Sequence, residues 1–413
     1  MKIVHIEDFL HPDAGYQLNS LAPLQRAQGH DVTIVTGELD KIPNDLTVFF
    51  GRDGIEARDA AFEEETGVHI VRIPLFGFYS GRAFFYPRIF RTVAQLKPDV
   101  VFIHGEDTVT GMVFIRLSRW LRYPLVLDCH MVEMASLNRF RKLFRSFFKK
   151  FITPVILKEN IPLIRVVDSD FVEKCLAIPL AHTDLLSFGT DTKMFAPNAE
   201  TRMRMRAQLG FTPDAFVVLY AGKLDETKGG KILAEALTEK YPDTNGRPVE
   251  FLVVGNTNGK YGEEVESMFA ASKNKIIRQP TAKFRELAKY YQSVDLAVFP
   301  KQCSMSFFEI QSCGVTVLFE RNEINIQRCV DENGYLFEPG DSNDIRKKII
   351  DLACTPTDDY QRFRNKSRQY IVDNFDYVPI AQKFTDVLSR AIKRWHQKGR
   401  PTFETSSRKP LEP

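Results

Sequence analysis

The chain has 413 residues, of which 44% are hydrophobic, and a formal net charge of only +3. This length exceeds what one ordinary core accommodates, so two domains are expected. The small net charge argues against a generally basic nucleic-acid-binding protein, and no run approaches the roughly 18 apolar residues of a membrane span. Six scattered cysteines without paired spacing predict free thiols in a reducing cytosol.

Short apolar runs alternate with helical patterns in the first half. Lys2–Ile6 predicts a strand rather than the apolar core of a signal peptide, and Gln17–Gln28 predicts a helix that ends at Gly29. Strand-like runs follow at Asp31–Thr36, Val68–Ile73, Val100–His104, Pro124–Asp128 and Leu163–Asp168. Nearly continuous apolar strands between helices predict a parallel sheet covered on both faces.

A second alternating set follows a polar stretch rich in Gly and Pro, 188–200, which is typical of a linker. Its strand-like runs are Phe216–Tyr220, Val249–Gly255, Lys275–Arg278, Leu296–Pro300 and Val315–Phe319. We therefore expect an α/β protein with domains at 1–187 and 188–375, facing each other across a deep cleft. A helix over 376–396 is expected to pack back on the first domain, followed by a disordered tail at 397–413.

The most informative local pattern follows the run Phe216–Tyr220. Gly222 comes directly after its end, Lys223 and Lys228 lie five positions apart, and a helical pattern begins at Gly230. A strand, a loop and a helix in this order form the place where open α/β sheets bind ligands. Two ammonium groups there suit a diphosphate. The alternative is a solvated loop with incidental lysines.

Several fragments, taken in order, resemble glycosyltransferase family 4, whose members are retaining enzymes of the GT-B fold with two Rossmann-like domains. The fragments span about residues 2–390 and are Gly15-Tyr16-Gln17, Gly29–Val32, Ser187–Asp191, Gly222–Leu224 with Lys228-Gly229, Asp295 with Pro300, Glu309, Cys313-Gly314 and Asn333–Phe337. The resemblance implies transfer from a nucleotide-diphosphate sugar, UDP first and GDP second, to a glycan or lipid-linked acceptor in surface polysaccharide or glycolipid synthesis. It implies no required cofactor and no metal.

The same resemblance implies roles for individual residues. Lys223 and Lys228 would stabilise the charge on the departing β-phosphate, and His130 would orient the acceptor hydroxyl or contact the transferred sugar. The expected donor-binding residues are Gly15, Gly222, Ser304, Met305, Ser306 and Glu309, the last on the ribose hydroxyls. His104, Glu106 and Asp128 are expected on the acceptor side.

Some of these residues have structural alternatives. Ser306-x-x-Glu309 has the spacing of a helix capping box, and His130 has the alternative of a structural histidine at a strand end. Lys301 stands near the place of the first of the family's two glutamates, as in a branch that lacks it. This departure favours, as an alternative function, a catalytically silent binding partner. The fold also hosts nucleotide-sugar epimerases and sugar-phosphate synthases.

Residues 139–151 combine aromatic and basic side chains. At helical spacing the apolar ones share one face, and six basic residues cover the rest; the apolar set is Phe140, Leu143, Phe144, Phe147, Phe148 and Phe151. Such a helix suits an anionic membrane surface, and 80–91 is a second basic-aromatic segment. The alternative is a helix whose Phe face packs on its own domain. We expect a cytoplasmic protein, peripheral on the inner membrane face if this helix binds lipid, without a nucleic-acid partner.

Overall fold

A computed structural model describes residues 1–47, 51–131, 140–301 and 305–403. The chain divides into two compact units. The N-terminal unit comprises Met1–Phe188 and the chain from Val378 onward, and the C-terminal unit comprises Gly189–Tyr377.

The strands of the described residues are β1 (Lys2–Glu7), β2 (Asp31–Gly37), β3 (His69–Ile73), β4 (Leu75–Tyr79), β5 (Arg82–Phe85), β6 (Val100–His104), β7 (Leu125–Cys129), β8 (Leu163–Arg165), β9 (Thr183–Leu185), β10 (Phe216–Ala221), β11 (Val249–Val254), β12 (Ile276–Gln279), β13 (Leu296–Phe299), β14 (Thr316–Glu320) and β15 (Gly334–Phe337). The helices are α1 (Gln17–Ala27), α2 (Asn44–Thr47), α3 (Ile55–Thr66), α4 (Arg88–Leu96), α5 (Val109–Leu117), α6 (Arg141–Phe151), α7 (Thr153–Glu159), α8 (Phe171–Leu176), α9 (Ala199–Leu209), α10 (Gly230–Ala236), α11 (Gly259–Ala271), α12 (Leu287–Gln292), α13 (Phe307–Ser312), α14 (Glu323–Arg328), α15 (Ser342–Ala353), α16 (Thr357–Phe375) and α17 (Tyr377–Gln397).

The N-terminal unit is built on a parallel sheet. Its described strands lie in the order β3-β2-β1-β6-β7-β8-β9. Successive residues Ile3 to Ile6 are all buried, so both faces of β1 are covered. The chain runs from β1 outward to β3 and then returns to β6 on the other side of β1. The strand order therefore reverses between β1 and β6, which makes their carboxyl ends a topological switch point.

The C-terminal unit repeats this plan. Its described strands lie parallel in the order β12-β11-β10-β13-β14-β15, and every residue of β10 and β11 is buried. Val218 of β10 pairs with Leu296 of β13, and the strand order reverses between these two strands. The predicted α/β fold, with two Rossmann-like domains and parallel sheets, is confirmed.

Some elements differ from the sequence-based expectation. The strand expected over Leu163–Asp168 ends at Arg165. An antiparallel hairpin of β4 and β5, which the aromatic and basic composition of its segment did not predict, precedes α4. Residues Gly334–Phe337, part of a fragment that carries the family resemblance, form the edge strand β15.

The last helix belongs to the N-terminal unit. Thr385 Oγ1 donates to Gln28 Oε1 at 2.7 Å, and the rings of Phe384 and Phe102 lie 6.1 Å apart. The segment expected to be disordered from residue 397 packs on this unit as far as Phe403, whose ring stacks on Tyr123 at 6.1 Å. Residues 404–413 lie outside the described part of the chain. Among the described residues, no helix is both long and apolar enough to cross a membrane.

Candidate active site

The two predicted lysines lie in the loop that leaves β10 at the switch point of the C-terminal unit. Lys223 is exposed and Lys228 is half-buried. The phenol of Tyr220 donates to the carbonyl of Lys223, and Asp225 Oδ1 accepts from the amide of Lys228 at 3.0 Å. These hydrogen bonds fix the backbone on both sides of Asp225, so the loop has a defined shape.

Two glycines of the C-terminal unit permit close contacts around this loop. A Cβ on Gly255 would lie 1.9 Å from the carbonyl oxygen of Gly222, so only glycine fits there. Gly229 has a φ of +75°, and a Cβ on it would lie 3.0 Å from Cβ of Lys301 and 3.1 Å from Cβ of Pro300. The lysine loop therefore touches the segment that follows β13.

Lys301 itself folds onto the lysine loop. Its Nζ donates to the carbonyl of Glu226 at 3.3 Å, at the start of a short 3₁₀ turn over Glu226–Lys228. The residue that stands near the place of the family's first glutamate thus supports the loop through a backbone carbonyl. Its ammonium also adds positive charge beside Lys228.

Glu309 is buried in the short helix α13, which follows the same segment. Burial raises the pKa of its carboxyl to about 8. The N-cap residue of α13 is Ser306, whose side chain makes no capping hydrogen bond. The reciprocal capping box offered as a structural alternative is therefore not formed. The contact of Glu309 with a donor stays a prediction.

The remaining predicted donor residues have unequal support. Met305 and Ser306 are half-buried directly before α13, whereas Ser304 lies outside the described residues. Gly15 is exposed in the loop between β1 and α1 of the N-terminal unit. Asn19 Nδ2 donates to the carbonyl of His11 at 3.0 Å, and the Tyr16 amide donates to Asn19 Oδ1 at 3.2 Å, which fixes the loop around Gly15.

A line of hydrogen bonds, called here the hydrogen-bonded line, crosses the switch point of the N-terminal unit. It links Gln25 Oε1 to His5 Nε2 at 2.8 Å, His5 Nδ1 to His104 Nε2 at 2.9 Å, and His104 Nδ1 to Asp128 Oδ2 at 2.7 Å. His130 Nε2 lies 3.0 Å from the other carboxylate oxygen, Oδ1. All members except His130 are buried; the side chain of His130 is 37% exposed.

The charges of the groups in the hydrogen-bonded line follow from its geometry. Burial opposes ionisation of Asp128, but the fields of His130 and His104 and their hydrogen bonds hold its pKa below the ordinary value. Desolvation works against a charge on His130, yet the Asp128 carboxylate raises its pKa to about 9. Burial and the nearby His104 lower the pKa of His5 to about 3, so His5 is neutral. With its pKa raised to about 9, His130 is a cation at neutral pH.

Carboxyl groups surround the hydrogen-bonded line at the ends of β1 and β6. Burial, reinforced by Asp107, raises the pKa of Glu106 to about 8; both of its carboxyl oxygens are buried, and the Cys129 thiol is their hydrogen-bonding neighbour. Burial raises the pKa of Asp8 to about 7 although its Oδ2 accepts from the Ala83 amide at 3.0 Å. Arg82 Nη2 pairs with both oxygens of Asp107 at 2.7 Å.

The three side chains expected on the acceptor side, those of His104, Glu106 and Asp128, are thus all buried. The direct contact of these three side chains with an acceptor stays a prediction. His130 is the member of the hydrogen-bonded line that reaches the surface. Its ring lies 5.2 Å from that of Phe188. The ligating atoms of His104, Asp128 and His130 lie within 4.8 Å of one another, and each histidine is within hydrogen-bonding distance of a different oxygen of Asp128. This geometry favours a hydrogen-bonded relay.

Two family models match the chain, one in each unit. A glycosyl transferase 4-like domain matches residues 14–154, and a domain of glycosyl transferases group 1 matches residues 215–354. Each unit thus matches a glycosyltransferase domain model. The 4-like domain contains Gly15, His104 and His130, and the group 1 domain contains Lys223, Lys228 and Glu309.

Individual proteins agree with this assignment. A D-inositol 3-phosphate glycosyltransferase of Arthrobacter sp. (strain FB24) is 30% identical over 241 residues, which cover 53% of this chain and 54% of that protein. The match thus spans about half the length of this curated relative. Its name gives a sugar-transfer activity to that protein.

Solved structures show the same fold over nearly the whole chain. A glycosyltransferase from Rickettsia africae superimposes with a TM-score of 0.72 at 14% identity, covering 95% of this chain and 98% of that one. HepE of Anabaena, crystallised with UDP and glucose, gives a TM-score of 0.70 at 17% identity, covering 94% of this chain and 100% of that one. At these identities the likeness supports the fold alone.

Sequence reasoning missed two features of the N-terminal unit. The pattern assigns His5 only to a strand, although a histidine in the middle of an apolar run is a signal of a buried polar contact. It assigns Arg82 to a membrane-binding segment, whereas this residue pairs with Asp107. Neither partner is close in sequence, so the pattern alone did not reveal the contact.

Proposed function

We propose that the protein transfers a sugar, with retention of configuration, from a UDP-sugar, or secondly a GDP-sugar, to a hydroxyl of a glycan or lipid-linked acceptor. The observation that carries the proposal is the position of Lys223, Lys228 and Glu309. They follow β10 and β13, the neighbouring strands between which the order of the second sheet reverses. Ligands of open α/β sheets bind at such points.

The lysine loop suits the leaving group of this reaction. When the glycosidic bond breaks, negative charge develops on the β-phosphate of the nucleoside diphosphate. Lys223 and Lys228 supply cations at the loop, and the added ammonium of Lys301 lies next to it. Charges held in place before the reaction stabilise the transition state without the cost of reorienting water. Glu309 is the proposed acceptor of the ribose hydroxyl hydrogens, as its ionised form accepts hydrogen bonds strongly.

His130 is the proposed contact of the N-terminal unit with the reacting sugar. Its positive charge, set by Asp128, makes it a hydrogen-bond donor to a sugar oxygen rather than a general base. In a front-face retaining mechanism, the leaving phosphate takes the proton of the acceptor hydroxyl. No protein base is then needed, which agrees with a protonated His130.

A donor screen followed by product analysis tests the proposal. Thermal shift with UDP, GDP, ADP and their common sugars identifies the base, because a ligand that binds only the native state raises the melting temperature. The selected sugar, labelled with ¹³C at its anomeric carbon, is then incubated with glycan and lipid-linked acceptors. We expect a new glycoside with the anomeric configuration of the donor. An inverted product, or turnover unaffected by Lys223→Met with Lys228→Met, contradicts the proposed chemistry.

Lys301 gives a specific reason to keep a second candidate, a binding partner without catalytic activity. Its side chain donates to the carbonyl of Glu226 and so supports the lysine loop. The family resemblance implies a glutamate that contacts the donor sugar near the position of Lys301. Such a protein would bind UDP in a calorimetric titration but turn over no donor, including by hydrolysis. An epimerase is distinguished by exchange of the sugar's configuration without an acceptor.

We further propose that α6 binds an anionic membrane surface, which would bring the enzyme to a lipid-linked acceptor of surface polysaccharide or glycolipid synthesis. The Phe face predicted from the sequence is split: Phe148 is buried in the core, and Phe144 packs partly against it. Phe140 and Leu143 are 71% and 72% exposed. Arg141, Lys142, Lys149 and Lys150 are exposed beside them. Exposed apolar and basic side chains on one helix suit anionic lipid headgroups.

Liposome co-sedimentation tests this surface. Vesicles rich in phosphatidylglycerol are expected to retain the protein, and vesicles of phosphatidylcholine alone are not. Leu143→Asp should abolish retention, because it removes an exposed apolar contact and adds a repelled charge. Met203→Asp is the matched control, since Met203 is 68% exposed in the other unit. Equal binding of all proteins to both vesicle types rules out a role for α6.

A further inference from the structure

The buried histidines of the N-terminal unit are the feature that the proposed chemistry does not use. His5 lies in the middle of β1 and His104 at the end of β6, where it pairs in register with Asp128 of β7. Neither histidine reaches the surface. Burying imidazoles between strands costs desolvation unless each nitrogen is hydrogen-bonded. Here the ring nitrogens of both histidines are hydrogen-bonded, in an unbroken line that ends at His130.

Which nitrogens donate and which accept in this line depends on the orientation of the Gln25 amide. If Gln25 Oε1 accepts from His5 Nε2, then His5 Nδ1 is an acceptor and His104 carries protons on both nitrogens. If the Gln25 amide is turned so that its nitrogen donates, His5 donates to a neutral His104. In both arrangements Nδ1 of His104 donates to Asp128. Asp128 thus always receives one hydrogen from His104 and has its other oxygen directed at His130.

We propose that His5 and His104 are positioning residues for His130. Through Asp128 they fix the His130 ring with Nε2–H on the carboxylate, and this presents Nδ1 to the reacting sugar. The inference rests on the proposed glycosyl transfer only for the role of Nδ1; the hydrogen-bonded line itself is a property of the protein without substrate.

The charged groups around His130 come from three strands. Glu7 at the end of β1 and Glu106 after β6 both favour the charged imidazole, in addition to Asp128 of β7. We expect His104 to act in the opposite sense, because the hydrogen that it donates to Asp128 partly neutralises that carboxylate. Removing the nitrogens of His104 therefore strengthens the field of Asp128 at His130. The expected result is a higher pKa of His130 together with a less restricted ring.

The test uses NMR of the full chain with ¹³C,¹⁵N-labelled histidine. The chain has eight histidines, and His130 is assigned by the resonance that His130→Gln removes. His104→Phe keeps an aromatic ring beside Phe102 but removes both nitrogens, whereas His104→Asn keeps a donor near the place of Nδ1. We expect His104→Phe to raise the pKa of His130 and to lower kcat about tenfold with little change in the donor KM. His104→Asn should restore most of both.

Several outcomes decide the proposal. A folded His104→Phe protein with the wild-type titration of His130 overturns it, as does unchanged kcat. If this variant does not fold, the ¹⁵N spectrum of the unmodified protein decides: Nδ1 of His104 and Nε2 of His130 must both carry protons, and a His130 protonated on Nδ1 alone overturns the line. If the NMR results agree but no donor is turned over, the hydrogen-bonded line stands and the proposed function fails separately.

Discussion

Asp295 and Arg206 form a buried ion pair in the C-terminal unit, with Nη2 of Arg206 2.6 Å from Oδ2 of Asp295. Arg202 and Arg364 reach the other oxygen of the same carboxylate at 2.5 Å and 3.1 Å, and the Val217 amide donates to Oδ2 at 2.9 Å. Asp295 thereby ties α9 and α16 to the start of β13. Asp295, one of the residues that carry the family resemblance, thus stabilises the fold of that unit.

We predict that Asp295→Asn destabilises the protein strongly. Removing the charge leaves three arginines without their shared carboxylate, and breaking such a pair from one side costs about 3 kcal/mol or more of unfolding free energy. Urea denaturation measures this. Asp243→Asn, at an exposed position, is the control and should change nothing. A variant of wild-type stability that has lost donor affinity would instead assign Asp295 to the ligand.

Gly229→Ala is predicted to weaken donor binding more than it weakens the fold. The new methyl group needs a left-handed backbone and meets Lys301 and Pro300 at about 3 Å, so the lysine loop must shift. Gly259→Ala is the matched control: its φ is +63°, and nothing lies within 4 Å of an added Cβ. Both variants carry the backbone strain of about 1 kcal/mol. Calorimetry with UDP should show loss of affinity for Gly229→Ala alone.

Replacing Lys223 or Lys228 by methionine should reduce kcat at least about 100-fold, as expected for loss of one group that stabilises developing charge. The melting temperature should change little, because neither side chain is buried. Lys260→Met, at an exposed site of α11, is the control for a general effect of charge. Initial rates at saturating donor measure kcat. Rates equal to those of the control remove the lysines from the mechanism.

Glu309→Gln is predicted to change the pH dependence of stability. The folded pKa of Glu309 is raised to about 8 by burial, so the native state holds its proton more tightly than the unfolded chain does. The stability due to the protonated carboxyl is complete below the ordinary pKa, near 4.3, and is lost as the pH rises through about 8. The amide that replaces the carboxyl cannot ionise. The melting temperature of the variant should therefore exceed that of the wild type by an increasing margin as the pH rises from mildly acidic to mildly alkaline.

The same variant should bind the donor more weakly, since an amide accepts ribose hydroxyls less strongly than a carboxylate. UDP-glucose is a suitable probe, because its diphosphate does not titrate near neutral pH. Calorimetry in two buffers of different ionisation enthalpy should show proton release on binding by the wild type at neutral pH and none by the variant. Glu263→Gln, at an exposed position, is the control. Equal affinities would leave Glu309 a purely structural residue.

Periodicity predicted the strands well where apolar residues run without a break. The run Val100–His104 is β6 as predicted, and Phe216–Tyr220 differs from β10 by one residue. It failed where an element depends on a partner: β8 ends early at Arg165, and its carbonyl accepts from the amide of Leu186. A helix over 139–151 was predicted as well, but not that Phe148 enters the core while Leu143 stays exposed.

The sequence by itself determined the two α/β domains and the loop that holds Lys223 and Lys228, because strand, turn and helix are encoded by residues close along the chain. Only the tertiary structure decided that His5 contacts His104, which lies 99 residues further along, and that Arg82 belongs to Asp107. The histidine contact arises because the parallel strands β1 and β6 lie side by side, whereas the ion pair joins the β4–β5 hairpin to the loop after β6. Their strength depends on burial, and a sequence pattern does not specify which partner each buried group meets.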